Sequence, residues 1–359
     1  MVTPRVTVLM PVYNAGQFLN EAIDSILSQS FKHFEFLIID DGSTDNSAAI
    51  IESYKDPRIR FLRNDRNMGI TPTLNKGISL ASCELIARMD ADDISHPSRL
   101  QKQYGFMKRN PEHAMLSTLV RVISKDKKFI WLERYRSNSY YYNLTFECWM
   151  YHPTIMFRKT PVEQVGMYSE DYDLFWKVST RFRIGNLAEP LVDCRISPTS
   201  LNSVLRKTEC GIANERNVLR NFRYYVGEDF QISREALECL RHNFRPIVNR
   251  YRLQAVMESL SALDVITEKI LQKENINREV KSIRRARFLK RKFILNNLAK
   301  SLPVIQGVEL LVRTHAWITL FTLMKNFLKW QLRRQANIFL SQNTGTRFKT
   351  ISSQGARSS

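Results

Sequence analysis

The chain has 359 residues, with 54 Lys+Arg against 35 Asp+Glu and a formal net charge of +19. A hydrophobic share of 43% supports a real core and excludes wholesale disorder, while 12 Gly and 12 Pro are too few for a collagen-like or linker-like chain. The charge is lopsided: residues 201–359 hold 29 Lys+Arg and 12 Asp+Glu, whereas residues 1–200 hold 25 and 23.

The length suggests two domains, or one large domain with an appendage. A basic half calls for a polyanionic partner or an anionic surface, and charge alone does not choose among nucleic acid, membrane lipid and phosphorylated substrate. The five cysteines (Cys83, Cys148, Cys194, Cys210 and Cys239) are odd in number and never at CxxC spacing. That pattern argues against a disulfide framework or a zinc site and fits a reducing, cytoplasmic compartment. The apolar run in MVTPRVTVLMPVYN is too short for a signal peptide. Near the C-terminus, Thr314 to Met324 is closed by Arg313 and Lys325, a window of 11 residues. A spanning helix needs about 18 or more.

Val6 to Val12 is an apolar, β-branched run that predicts a buried strand, closed by Asn14-Ala15-Gly16. Phe18, Leu19, Ala22, Ile23, Ile26 and Leu27 then recur at helical spacing. Phe34 to Ile39 predicts a second strand, stopping at Asp40-Asp41-Gly42, and Ser43-Thr44-Asp45 can cap a helix carrying Ala48 to Ile51. Ile59 to Leu62 reads as a third strand. A helix is expected over about Thr71 to Ala81, with Pro72 in its first turn. Leu85 to Met89 is a fourth strand, running into Asp90-Ala91-Asp92-Asp93. Alternating strands and helices predict an α/β, doubly wound, mostly parallel sheet. Ligands bind outside the carboxyl ends of strands in such sheets, which is where the acidic clusters fall.

Three clusters carry candidate chemistry. Asp90 and Asp92 are two apart at a strand end and can point to one side, with Asp93 adjoining. Their mutual repulsion is relieved by a hard divalent cation such as Mg²⁺ or Mn²⁺, although an acidic helix-capping turn reads the same way. Asp41 can accept from a base or ribose; a plain helix-cap turn also explains Asp40-Asp41-Gly42-Ser43-Thr44. Glu170-Asp171-Tyr172-Asp173 can supply a general base, or simply place acids in the first turn of a helix.

In register, these stretches resemble the family 2 glycosyltransferases, which have the GT-A fold. The residues carrying the resemblance are Pro11-Val12-Tyr13-Asn14-Ala15, Ile38 to Asp45, Asn67-Met68-Gly69 with Asn75-Lys76-Gly77, Asp90-Ala91-Asp92-Asp93, His152-Pro153-Thr154 with Phe157-Arg158, and Glu170 to Leu174. The resemblance spans roughly residues 5–200. It implies inverting transfer of a sugar from a nucleotide-sugar donor to a hydroxyl of a glycan or lipid-linked acceptor, as in polysaccharide biosynthesis. Carried over, Pro11, Val12, Tyr13, Asp41, Asp90 and Ala91 would line the donor nucleotide site. Asp92, with Asp90 and Asp93, would hold Mg²⁺ or Mn²⁺. Asp171 would be the general base, and His152 and Glu170 candidate acceptor or diphosphate contacts. Two features depart from the family: Ser169-Glu170-Asp171 follows Tyr168 at once, and Cys194-Arg195-Ile196-Ser197 stands where Tyr-Arg-x-His is common.

The expected division is a GT-A domain over 1–204, a basic, mainly helical C-terminal region over 205–340 and a disordered tail over 341–359. KSIRRARFLKRK over 281–292 has seven basic residues in twelve. Farther on, Trp317, Phe321, Met324, Phe327, Leu328 and Trp330 interleave with Lys325, Lys329, Arg333 and Arg334. This is the composition of a helix lying on an anionic membrane surface, or of a helix packed on the catalytic domain with solvated charges. Nucleic acid is not the expected partner, because no helix-turn-helix, zinc or RNA-recognition signature is present. The rival functions are a nucleotidyltransferase making nucleotide sugars, which would want a basic Gly-rich loop after the first strand, and a degenerate, non-catalytic binding scaffold.

Overall fold

The computed structural model describes residues 3–132, 140–196, 207–317, 320–321 and 325. The chain divides into two compact units, Met1–Ile232 with Ala262–Arg287, and Ser233–Ser261 with Phe288–Ser359. The tail at 341–359 and most of the aromatic-basic segment beyond Trp317 lie outside the described residues.

In the first unit, β1 (Val6–Val12) is buried at every position, as a central strand covered on both faces must be. It pairs in parallel with β2 (Phe34–Asp40), and β2 with β3 (Ile59–Arg63). Between them run α1 (Leu19–Leu27) and α2 (Ser47–Ser53). The α1 side chains Leu19, Ala22, Ile23 and Ile26 are buried, which turns their i, i+3, i+4, i+7 spacing into a packed stripe. After β3 comes α3 (Ile70–Leu80), then β4 (Leu85–Arg88) on the other side of β1. A Cβ at Gly77 of α3 would stand 2.3 Å from Leu9 Cδ1, so only glycine lets the helix lie this close to the sheet.

The remainder of the sheet was not legible in the mixed pattern after residue 100. It comprises β5 (Ile94–Ser95), β6 (His113–Ser124), β7 (Phe129–Leu132), β8 (Met156–Arg158) and β9 (Arg183–Ile196). The order is β3-β2-β1-β4-β8-β6-β9-β5, with β7 on β6. β8 runs antiparallel to β4 and β6, and β9 runs parallel to β6. The helices α4 (Arg99–Arg109), α5 (Tyr140–Asn143), α6 (Lys159–Gln164), α7 (Asp171–Arg181) and α8 (Lys207–Val226) accompany these strands. Successive strands move one way from β1 to β3 and then reverse to β4. The switch point therefore lies between Val12 and Met89, and a ligand crevice is expected there.

The second unit contains α9 (Arg234–Leu240), α10 (Arg245–Val248), α13 (Val304–Arg313) and parts of α11 (Leu253–Gln272) and α12 (Val280–Ser301). Ser233 caps α9, its Oγ accepting from Ala236 N. A Cβ at Gly307 would meet Ala299 O at 2.8 Å, which packs α13 closely on the end of α12. No described helix is long and apolar enough to cross a membrane.

Candidate active site

The carboxyl ends of β1 and β2 are laced together. Asp41 N donates to Val12 O at 2.7 Å, Asn14 N to Ser43 Oγ at 2.9 Å, and Thr44 N to Asn14 Oδ1 at 2.9 Å. Asn14 adopts φ 48°, a left-handed conformation that asparagine tolerates. Within the expected nucleotide segment, Pro11 and Val12 are buried, whereas the Tyr13 ring is 47% exposed and offers a free face.

Asp41 is buried at the floor of this loop pair. Its Oδ1 accepts from Asn64 Nδ2 at 2.7 Å and Met68 N at 3.0 Å, and Oδ2 from Gly69 N at 2.8 Å. The carboxylate thus shapes the Asn64–Gly69 segment, with two donors on Oδ1 and one on Oδ2. Lys76 donates to Asn64 Oδ1 at 2.6 Å and extends the network to α3.

At the end of β4, one oxygen from each of Asp90, Asp92 and Asp93 falls within 4.8 Å of the others. Asp93 is buried, and its Oδ2 has no N–H or O–H donor. Burial, and then the charge of Asp90, pushes Asp92 up to about 6 and Asp93 well above the carboxylate range. Crowded oxygens with an unmet buried acceptor suit a hard divalent cation. Ala91, between them, is buried.

Two arginines brace this cluster. Arg88 is 3% exposed and pairs with Asp90. Its charge also reaches Asp92, Asp93 and Asp171. Arg195 donates from its backbone N–H to Asp93 Oδ1 at 2.7 Å and from Nε to Asp92 O at 2.9 Å. It also donates to Lys125 O and Glu21 Oε2, and its guanidinium lies 4.3 Å over the Phe18 ring. Arg195 occupies the stretch that departs from the family pattern. Arg195 keeps the arginine of the Tyr-Arg-x-His pattern, but its contacts, like those of Arg88, are visible only in what the fold places beside it.

The acidic segment at 170–173 opens α7. Asp173 is buried and held by Lys177, Arg220 and Ser169. Glu170 accepts from Asn217 Nδ2 at 2.6 Å. Asp171 has a side chain 43% exposed, 2.8 Å from His152 Nδ1. Burial raises its carboxyl, but contact with His152 and the charge of Arg88 outweigh this and hold it below the usual range. His152 Nε2 lies 2.8 Å from the Tyr168 hydroxyl. Both ring nitrogens therefore meet partners inside the protein.

An acidic cluster at the carboxyl end of β4, beside the β1–β2 loop pair of a mostly parallel sheet, is the arrangement of the GT-A fold. The family model for glycosyl transferase family 2 matches residues 7–167. The O-antigen biosynthesis glycosyltransferase WbnJ of Escherichia coli is 32% identical over 232 residues, covering 61% of this chain and 91% of that protein. An uncharacterized glycosyltransferase of Haemophilus influenzae is 28% identical over 244 residues, covering 63% and 75%. Among solved structures, S. aureus TarS 1-349 in complex with UDP-GlcNAc is similar in fold, with a TM-score of 0.53, 14% identity and coverage of 85% and 89%. The chain belongs to glycosyl transferase family 2 and is a glycosyltransferase.

Proposed function

We propose that the protein transfers a sugar with inversion from a nucleotide-sugar donor to a hydroxyl of a glycan or lipid-linked acceptor, with Mg²⁺ or Mn²⁺ held by Asp92, Asp90 and Asp93. The observation that carries this reading is that Arg88, which pairs with Asp90 of the cluster, also donates from its backbone N–H to Ile155 O at 3.0 Å, just after the turn whose His152 meets Asp171. In this reading the cation site and the carboxylate of Asp171 share one crevice at the switch point of the sheet.

In this reading the Tyr13 face and Asp41 hold the nucleoside, while Pro11 and Val12 set the strand end on which it rests. A bound divalent ion supplies positive charge against the diphosphate and stabilises it as a leaving group. Asp171 takes the proton of the acceptor hydroxyl on its outward oxygen. The hydroxyl oxygen bonds to C1 as the bond from C1 to the diphosphate breaks on the opposite face. The binding of a sugar nucleotide by TarS supports the donor class, and the role of WbnJ in O-antigen biosynthesis supports a surface-glycan acceptor. The test is a screen of UDP- and GDP-sugars for metal-dependent nucleotide diphosphate release. Product anomers are then read by NMR, and retention of configuration rejects the inverting mechanism.

The second unit suits attachment to an anionic membrane, at the cytoplasmic face. Its residues 288–359 hold 12 Lys+Arg and one acid, Glu309. Val304, Ile305, Val308 and Val312 of α13 are exposed and fall within about 100° of the helix circumference. Leu310, Gly307 and Leu311 face the interior instead. Exposed Phe288, Leu289 and Phe293 flank Lys292 on α12. Apolar side chains on a cationic surface match a bilayer interface.

A further inference from the structure

We propose that Tyr168 and His152 form a positioning clamp on Asp171, in which the Tyr168 hydroxyl donates to His152 Nε2 and His152 Nδ1–H donates to Asp171 Oδ2. The clamp rests on the reading of Asp171 as general base. It leaves Oδ1 of Asp171 to meet the acceptor hydroxyl.

The proton assignment follows by exclusion. The imidazole contacts Asp171 and Tyr168 and feels the charges of Arg88 and Asp90. Burial, and then the charge of Arg88, holds His152 below its ordinary value, so the ring is neutral at neutral pH and carries one proton. An ionised Asp171 can only accept, so that proton sits on Nδ1 at the 2.8 Å contact. Nε2 is then an acceptor, and Tyr168 at 2.8 Å must donate.

The clamp is anchored at each step. Asn75 of α3 accepts from Tyr168 N and donates to Tyr168 O, both at 2.9 Å. Gly166 at φ 93° and Met167 at φ 61° make the turn that brings Tyr168 inward. The His152 ring sits 5.3 Å from Tyr168 and 5.9 Å from Phe175. Its backbone lies in a short 3₁₀ turn over His152–Thr154, where Thr154 Oγ1 donates to Tyr151 O at 2.7 Å. A base fixed in one rotamer presents its free oxygen in one direction, and small misplacements of a reacting group cost rate steeply. The abrupt Tyr168-Ser169-Glu170-Asp171 stretch keeps Tyr168 and Asp171 close enough in sequence to share one imidazole.

The test uses the full chain with ¹⁵N-labelled histidine, the His152→Gln variant assigning the signal. The expected result is a neutral Nδ1–H tautomer at pH 7 that moves to Nε2–H in Asp171→Ala. An Nε2–H tautomer in the unaltered protein, or no change in Asp171→Ala, overturns the clamp. In metal-dependent diphosphate release over a UDP- and GDP-sugar panel, His152→Ala should lower kcat about 10- to 100-fold. Donor KM should stay within about twofold, since only the transition state loses the contact. The acid limb of kcat should move to higher pH, because the carboxyl loses the His152 contact that helps to hold it low. His152→Asn, whose amide can donate from the Nδ1 position, should recover part of the loss, and Tyr168→Phe should lower kcat less than His152→Ala does. Full activity in His152→Ala beside an inactive Asp171→Ala rejects the clamp and keeps the base. Full activity in Asp171→Ala rejects the base, while the tautomer result still decides the hydrogen bonds.

Discussion

Arg195 reaches Asp93 across 102 residues of sequence, its backbone N–H donating to Oδ1 at 2.7 Å. The same residue holds the Asp92 carbonyl, Lys125 O and Glu21, so its side chain ties the cation cluster to three other segments. Arg195→Ala keeps the backbone bond and loses the rest. Mn²⁺ affinity, measured by calorimetry, is expected to fall about 10- to 100-fold, as for other residues that orient metal ligands. Arg195→Lys should not restore it, because an ammonium cannot reproduce the planar fork.

Protons and the cation compete for the Asp90–Asp93 cluster. Burial and the neighbouring Asp90 raise Asp92 to about 6, so Asp92 is largely protonated at pH 5 and ionised at pH 7.5. A group with a raised folded pKa binds its proton more tightly than the unfolded chain does, and stability is lost as pH rises through that value. A cation replaces the missing charge. Mn²⁺ should therefore bind roughly tenfold more weakly at pH 5 for each proton displaced, and should raise the melting temperature more at pH 7.5 than at pH 5. Equal effects at the two pH values contradict the assignment.

Gly42 closes β2 at φ 72°, and a Cβ there would stand 2.6 Å from the Arg66 carbonyl carbon. Gly42→Ala is strained in both backbone and space. A loss of about 1–3 kcal/mol is expected in urea unfolding.

Asp41 accepts three donors from Asn64, Met68 and Gly69. Asp41→Asn turns one acceptor into a donor facing donors. Unfolding stability should fall by about 1–3 kcal/mol. The calorimetric affinity for nucleoside diphosphates should fall with it, and an unchanged affinity would remove Asp41 from the nucleoside site.

Ile305→Asp with Val308→Asp places two carboxylates on the exposed face of α13. Flotation with vesicles of phosphatidylglycerol and phosphatidylcholine should show binding at low salt that high salt weakens and that this double variant loses. Absence of binding at low salt refutes membrane attachment. Loss of a dimer in the variant, with no vesicle binding by either protein, assigns the face to a second copy.

The first half of the sheet was legible because β1, β2 and β4 are buried on both faces and read as continuous apolar runs, and the half-exposed edge strand β3 is set off by the turns around it. The acidic clusters were legible because they stop those runs. The residue pattern by itself does not separate Asp171 from Asp173, since both sit at the start of one helix; only the family resemblance singled out Asp171. The fold separates them by giving Asp173 to Lys177 and Arg220. The roles of Arg88, Arg195 and Tyr168 were hidden for a similar reason, as each depends on a partner supplied by another element. The surplus positive charge falls after residue 200 in the sequence, whereas the buried arginines beside the acidic cluster, Arg88 and Arg195, come from β4 and β9.

The central claim is that Asp171 and the Asp90–Asp93 cluster act together in a metal-assisted displacement. The most direct measurement is the initial rate of nucleotide diphosphate release, with Mn²⁺ and the sugar nucleotide that the protein turns over, in Asp171→Asn and Asp92→Asn. The account predicts that both rates fall by about 10²-fold or more, with donor still bound by Asp171→Asn in calorimetry. Turnover close to that of the unaltered protein in either variant would contradict it.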